Sequence, residues 1–306
     1  MIKEIHEMNM KYIWQNGEIK NYADATVHVL THSLHYGSSV YEGTRIYKTD
    51  QGAAIFHLND HVERLFYSAK SIGMSLPYSK KVMKDATVLL VEKNKLESGY
   101  IRHLAYYGVG NLRIAPQGLP VEIMIACWPW GRYLSDQPID VKVSAYKRIS
   151  AKSTVTDAKI AGNYVNSILT TIEIQNTHYK ESLLLDEYGF VAEAGSANLF
   201  CVKNNIILTP KIGAILPGIT RKTVIEIAKE LGYEVQERNL SLDEVYSCDE
   251  AFLTGTAAEL TSIRSINDNF IGNNQHYPVS TILSNHYMDL VHGRLERHQD
   301  YLTLVK

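Results

Sequence analysis

The chain has 306 residues, enough for two domains of ordinary size. Hydrophobic residues make up 45% and charged residues 21%, too apolar a balance for intrinsic disorder. Lys and Arg total 31 against 33 Asp and Glu, a formal charge of −2, which excludes a broad basic field for nucleic acid or an anionic membrane.

In chain order, the opening Met1-Ile-Lys-Glu-Ile-His-Glu is charged and lacks the apolar core of a signal peptide. No apolar run reaches the roughly 18–20 residues of a membrane helix. Trp14-Gln-Asn16-Gly17-Glu-Ile carries an Asn-Gly pair between apolar residues and predicts a hairpin. Residues 53–58 read as a strand. Asn59 is placed to cap a following helix in which Val62, Leu65, Phe66, Ala69 and Ile72 recur at helical spacing before Gly73. A second helix is expected over residues 80–95, with Val82, Ala86, Leu89 and Leu90 as its buried side. Strands follow at 100–107 and 121–127. Residues 128–138, with two prolines and a glycine, form the expected domain boundary. Beyond it the pattern predicts a strand at 139–145 and a helix at 163–177. Hairpins are expected to turn at Gly189 and at Asn204-Asn205, and a helix at 221–231 stops at Gly232. A strand at 250–253 then meets Thr254-Gly-Thr-Ala-Ala258. Cys127, Cys201 and Cys248 are odd in number and fit no metal or redox motif, so they read as reduced thiols of a cytoplasmic protein. The 20 Tyr residues suit a pocket that mixes apolar walls with hydroxyls.

Several chemical signals fail. Gly108-Val-Gly110-Asn-Leu-Arg113 lacks the third glycine of a dinucleotide fingerprint and has no clear helix behind it. There is no Walker A motif and no Gly-x-Ser-x-Gly elbow. His28, His32 and His35, and His57 with His61, are close in sequence but lack the His-Glu-x-x-His form, and read as surface or packing residues rather than metal ligands. Four features remain. Thr220, after Pro217-Gly218, stands at a helix start where amides and dipole receive an anion, although on its own it reads first as a plain helix cap. Thr254-Gly255-Thr256-Ala257-Ala258 ends a strand with small residues. Lys159 lies among small residues ahead of a helix, where an amine can be desolvated and nucleophilic. Glu193 sits between Val191-Ala192 and Ala194-Gly195, an odd place for an unpartnered charge. Pyridoxal phosphate would use all four, since it needs an amine partner, an acid for its ring nitrogen and a phosphate cup.

Six motifs occur in order: Tyr36-Gly37-x-x-Val40-Tyr41-Glu42-Gly43-Thr44-Arg45; His61-x-x-Arg64-Leu65; Lys159-x-x-Gly162-Asn163-Tyr164; Glu193-x-Gly195-x-x-Asn198-Leu199-Phe200; Leu216-Pro-Gly-Ile-Thr-Arg221; and Gly255-Thr-Ala-Ala-Glu259. Together they resemble the class IV pyridoxal-phosphate aminotransferases, and within that class are most similar to the branched-chain-amino-acid aminotransferases. The resemblance runs from about residue 12 to residue 264. It implies an α+β (mixed α/β) fold of type IV, with a smaller N-terminal α/β domain (1–127), an interdomain loop (128–138) and a larger C-terminal pseudo-barrel domain (139–306).

The resemblance also implies roles. Lys159 matches the Schiff-base lysine and proton shuttle, Glu193 the carboxylate at the pyridinium nitrogen, and Tyr164 the phenol at the cofactor's 3-oxygen. Arg64, Gly218, Ile219, Thr220 and Thr256 match the phosphate cup, and Leu216 the residue on the ring face. Tyr36, Tyr41, Gly43, Arg45, Tyr100, Arg102, Trp130 and Tyr133 match the side-chain pocket, with Thr256 and Ala257 at the α-carboxylate. Such a pocket accepts Leu, Ile or Val in one half-reaction and glutamate in the other, with Arg102 pairing the distal carboxylate. Tyr36 and the loop near Val109 reach a neighbouring subunit in the family, so at least a homodimer is implied, and a hexamer is left open. No nucleic-acid, membrane or metal partner is implied. Tyr41 stands where many relatives have Phe, Ile160-Ala161 follows the lysine where smaller residues are common, and Arg113 adds a charge near the pocket mouth. The rival readings are a D-amino-acid or (R)-amine transaminase, an aminodeoxychorismate lyase, and a non-catalytic small-molecule-binding protein.

Overall fold

The computed structural model describes residues 10–131, 134–273 and 275–305. The described chain divides into two compact units.

The first unit is built on an antiparallel sheet. Its strands are β1 (Tyr12–Gln15), β2 (Glu18–Asn21), β3 (Ser39–Thr49), β4 (Gly52–Phe56), β5 (Gly99–Tyr107), β6 (Val121–Trp128) and a C-terminal strand Leu302–Leu304. The C-terminal strand leads the order, followed by β4, β3, β5, β6, β1 and β2. The expected hairpin joins β1 to β2, with Asn16 at φ 52° and Gly17 at φ 91°, both left-handed as a tight primed turn requires. Helix Leu58–Ser71 lies against β3 and buries Leu58, Val62, Leu65 and Ala69. Asn59 does not cap it. His57, at φ 52° and ψ 35°, occupies the cap position, and Asn59 lies inside the first turn, where its Oδ1 accepts from Lys84. Helix Lys80–Asn94 starts at Ser79, whose hydroxyl accepts from Val82 N–H. Its buried side is Met83, Ala86, Thr87, Leu90 and Val91, while Val82 and Leu89 are exposed. The face is therefore turned from the expected one. Met83, Leu90 and Val91 bury their apolar side chains there, and Thr87 can join them because its hydroxyl is satisfied by the Met83 carbonyl and His103 Nε2.

The second unit holds a mixed sheet of β7 (Ile139–Lys147), β8 (Glu181–Leu185), β9 (Val191–Ala194), β10 (Asn198–Lys203), β11 (Ile206–Pro210), β12 (Val235–Arg238), β13 (Glu250–Gly255), β14 (Glu259–Ile266) and β15 (Asn269–Phe270). β10, β13, β14, β7, β8 and β9 follow one another, and β9 returns to β10 through the Asn198–Glu193 pair. The ring so closed is the expected pseudo-barrel. β14–β7 and β7–β8 are parallel, and Leu183, Leu199, Leu253 and Ile263 fill the interior beside them. The predicted turns stand at Gly189 (φ 89°) and at Asn204 and Asn205 (φ 49° and 63°). The segment after Ile266, which carries no motif, folds into β15, helix Pro278–Val291 and the C-terminal strand. Glu250 holds that helix by accepting from Val279 and Ser280 N–H.

Residues 158–162 and those from 290 onward group with the first unit, whereas the sequence reading assigned everything after 138 to the second. Backbone pairing explains the difference. Ile160 bridges to Val40, and Leu302–Leu304 pairs with β4, contacts that leave no periodic trace in the sequence.

Candidate active site

In the first unit, the alternation of β3 sends Tyr41, Gly43 and Arg45 to one face and Val40, Glu42 and Thr44 to the other. The register sets Tyr41 beside Leu104, Gly43 beside Arg102 and Arg45 beside Tyr100, so five predicted pocket residues share one sheet face. Gly43 is required there by close approach, since a Cβ on it would stand 1.7 Å from the Tyr100 hydroxyl oxygen. The Tyr100 ring meets Trp130 edge-on at 4.4 Å and Trp128 at 5.4 Å. The Arg45 guanidinium lies 5.9 Å from the Trp130 ring and donates to the Gly131 carbonyl at 2.6 Å. The Arg102 guanidinium lies 4.7 Å from the Tyr41 ring and 5.6 Å from Tyr100, and its buried Nε has no hydrogen-bond partner among the described residues. Tyr133 lies outside the described residues. Tyr36 is half-exposed at the end of helix His32–Tyr36 and donates to the Leu112 carbonyl at 2.8 Å. It belongs to a patch that includes exposed Leu34 and Leu112 rather than to the β3–β5 face.

Lys159 is anchored by its backbone. Its N–H donates to Ser68 Oγ at 2.9 Å and its carbonyl accepts from Tyr41 N–H at 3.1 Å. The ammonium nitrogen lies 4.8 Å from the centre of the Tyr41 ring, within cation–π range.

On the opposite face of β3, Glu42 is fully buried and receives Arg64 Nε at 2.6 Å, Arg64 Nη2 at 3.0 Å and His61 Nδ1 at 2.7 Å. Burial pushes its carboxyl up, but the Arg64 guanidinium and the His61 ring outweigh it and hold the group well below the usual carboxylate range. Burial also pushes His61 down against the pull of Glu42. His103, paired across from Glu42, is pushed down to about 4 by burial. The sequence reading included Glu42 in a motif but gave it no role.

In the second unit, Glu193 on β9 is buried. Its Oε1 accepts from Arg148 Nε at 2.6 Å, its Oε2 from Asn198 Nδ2 at 3.0 Å, and both oxygens from Leu216 N–H at 3.2 and 3.1 Å. Arg148 was not foreseen, because it follows β7 with no motif around it. Helix Ile219–Glu230 begins after Gly218, whose backbone is extended at φ −68° and ψ 134°. Thr220 is therefore the second helical residue and not the cap, a correction to the sequence reading. Glycine at the cap position leaves the first-turn amides without a side-chain acceptor, and Ile219 and Thr220 are buried beside them. Thr256 and Ala257 are half-buried in the turn after β13, and Tyr164 is half-buried at the end of the short 3₁₀ turn Ala161–Tyr164. Arg221, next in the helix, is taken up by Pro210, Thr209 and Glu237 and is structural.

These donor sets fit pyridoxal phosphate. A buried carboxylate supported by a guanidinium and two further donors is suited to hold a protonated ring nitrogen. An uncapped helix start is suited to a phosphate. Among the described residues no His, Cys, Asp or Glu cluster could hold a metal ion, and no helix is long and apolar enough to cross a membrane.

The family model for amino-transferase class IV matches residues 39–266. The chain belongs to the class IV aminotransferase family. It is 44% identical over 298 residues to the branched-chain-amino-acid aminotransferase of Pseudomonas aeruginosa, covering 96% of this chain and 97% of that protein. The T.th. branched-chain amino acid aminotransferase complexed with N-(5′-phosphopyridoxyl)-L-glutamate superposes with a TM-score of 0.94 at 40% identity, over 97% of this chain and 99% of the other. The same T.th. protein complexed with 4-methylvaleric acid superposes with the same score, identity and coverage.

Proposed function

We propose that the protein is a branched-chain-amino-acid aminotransferase, which moves an amino group from L-leucine, L-isoleucine or L-valine to 2-oxoglutarate in a ping-pong cycle. The observation that carries this reading is the β3–β5 face, where the Tyr41 and Tyr100 rings flank the Arg102 guanidinium, whose buried Nε lacks a protein partner among the described residues. Tyr41, Tyr100 and Trp130 bury an aliphatic side chain, at about 1.5–3 kcal/mol for each fully covered group. Arg102 pairs the distal carboxylate of glutamate, which apolar walls alone would reject. The relative solved with both a glutamate adduct and a leucine-like acid supports the same dual use.

The cofactor is pyridoxal 5′-phosphate, whose electron-withdrawing ring stabilises negative charge at the substrate α-carbon. Lys159 supplies the amine that holds the cofactor and, once displaced, takes and returns the α-carbon proton. Glu193 keeps the ring nitrogen protonated, and Tyr164 bonds the 3-oxygen. Leu216 packs on the ring. Gly218, Ile219, Thr220 and Thr256 receive the phosphate, Arg64 is a further cofactor-binding residue, and Thr256 with Ala257 receives the α-carboxylate. Arg45 and Gly43 shape the pocket through Trp130 and Tyr100.

The reading includes at least a homodimer, supported by exposed Val29, Leu30, Leu34, Leu112 and Ile114. Ile114→Glu should lower the sedimentation coefficient, and an unchanged value sinks this surface. A cytoplasmic location is supported by three free cysteines, and secretion of the tagged chain from its host would overturn it.

The central experiment follows the visible absorbance of the holoenzyme as single amino acids are added. Bleaching by L-leucine and by L-glutamate, with recovery on 2-oxoglutarate, is the expected result. Bleaching by D-alanine or an (R)-amine alone would refute the branched-chain reading and leave the family standing.

A further inference from the structure

Asn198 stands in the Glu193-x-Gly195-x-x-Asn198 motif with no role attached. It is 5% exposed and tied on every side. Its Nδ2 donates to Glu193 Oε2 at 3.0 Å and to the Leu216 carbonyl at 3.0 Å, which uses both amide hydrogens. The Leu216 N–H returns to the same carboxylate. The other end of the amide, Oδ1, lies 2.1 Å from where a Cβ on Gly218 would stand, so residue 218 must be glycine for the amide to fit. The Asn198 backbone pairs with Glu193 on one side and Thr254 on the other. One side chain thus touches the buried carboxylate, the Leu216 segment and the residue that opens helix Ile219–Glu230.

We propose that Asn198 is a positioning residue that sets the span between the Glu193 carboxylate and the amino end of the Ile219–Glu230 helix. The inference rests on the roles proposed above for those two groups. A flat ring with a phosphate arm has a nearly fixed distance between its nitrogen and its phosphate. Both ends are met at full strength only if their anchors are held at that distance beforehand. A side chain hydrogen-bonded to one anchor and packed against the other does this. The residue type follows from the donors required. Asp has no N–H to offer the carboxylate or the carbonyl, Leu has no polar atoms, and Gln carries an extra methylene into a space with none to spare.

The test is a four-protein comparison on the full chain: parent, Asn198→Asp, Glu193→Gln and the double variant. Each is measured for the dissociation constant of pyridoxal 5′-phosphate, for kcat, and for near-ultraviolet circular dichroism as a check of folding. Asn198→Asp sets carboxylate against carboxylate across the 3.0 Å now spanned by a hydrogen bond to a charged group. The expected rise in the dissociation constant is about tenfold or more. In the double variant the amide introduced by Glu193→Gln can donate to the carboxylate introduced by Asn198→Asp, so only the contact with the Leu216 carbonyl is lost. There the Asn198 substitution should weaken cofactor binding at least fivefold less, while kcat stays low in both proteins that carry Glu193→Gln. Cofactor binding by Asn198→Asp at the parent level overturns the proposal, as does an equal loss in both backgrounds, which marks a packing role alone. Should Asn198→Asp fail to fold, the double variant decides. Cofactor affinity close to that of Glu193→Gln supports the proposal, and a tenfold loss overturns it. An unchanged kcat in Glu193→Gln is a separate failure, that of the ring-nitrogen reading.

Discussion

Glu42→Gln probes the buried ion pair behind β3. Glu42 is fully buried and holds both Arg64 Nε and Nη2, at 2.6 and 3.0 Å, together with His61 Nδ1 at 2.7 Å. Burial pushes His61 down, so at neutral pH the cluster carries one negative and one positive charge. Gln preserves the volume but removes the carboxylate charge that faces the Arg64 guanidinium, which has 13% of its side chain exposed. Removing one partner of a buried pair costs about 3–5 kcal/mol. The amide still accepts one hydrogen bond and some water reaches Arg64, which favours the lower end, about 3 kcal/mol. At about 2–4 °C per kcal/mol for a domain of this size, the apoprotein should melt about 6–12 °C lower at pH 7, followed by near-ultraviolet circular dichroism.

The sign of the pH dependence follows from the depressed carboxyl of Glu42. Its stabilisation is complete above the ordinary Glu value, about 4.3, and is lost as pH falls toward the folded value, at about 1.4 kcal/mol per pH unit. The gap between parent and variant should therefore be full at pH 7 and shrink below about pH 4. A variant melting within about 2 °C of the parent at pH 7, or a gap that persists unchanged to about pH 3, would refute the reasoning.

Two further substitutions address the site. Arg148→Gln removes the cation 2.6 Å from Glu193 and should lower kcat by about ten- to a hundredfold, with the leucine KM changed by less than about threefold. Steady-state kinetics with a parent-like kcat would show that Arg148 has no hold on the carboxylate. Gly43→Ala places a Cβ where the Tyr100 phenol now lies, an overpacking of about 1–3 kcal/mol relieved only by swinging the ring away from Trp130. The leucine KM should rise by about tenfold, and an unchanged KM would mean that Tyr100 does not shape the pocket.

Much of this was legible in one dimension. Asn16-Gly17 announced its hairpin because left-handed turn chemistry resides in the two residues themselves. Tyr41, Gly43 and Arg45 share a face because strand alternation is a property of neighbours. The motifs around Lys159, Glu193 and Leu216 pointed to the cofactor because its amine, acid and phosphate needs are met by short segments. Other features depend on partners far along the chain. The register that sets Gly43 beside Arg102, and so lays Tyr100 across the glycine, comes from pairing β3 with β5. The buried face of helix Lys80–Asn94 includes Thr87, whose hydroxyl finds its partner in His103 of β5. Glu193 looked unpartnered in sequence because Arg148 lies 45 positions away, and Lys159 groups with the first unit through a backbone bond that its carbonyl accepts from Tyr41, far back along the chain. Periodicity and turn chemistry are local and so are written in adjacent residues. Ion pairs, register and barrel closure are settled by which distant segments can bury their polar groups against each other, and that choice exists only once the chain is folded.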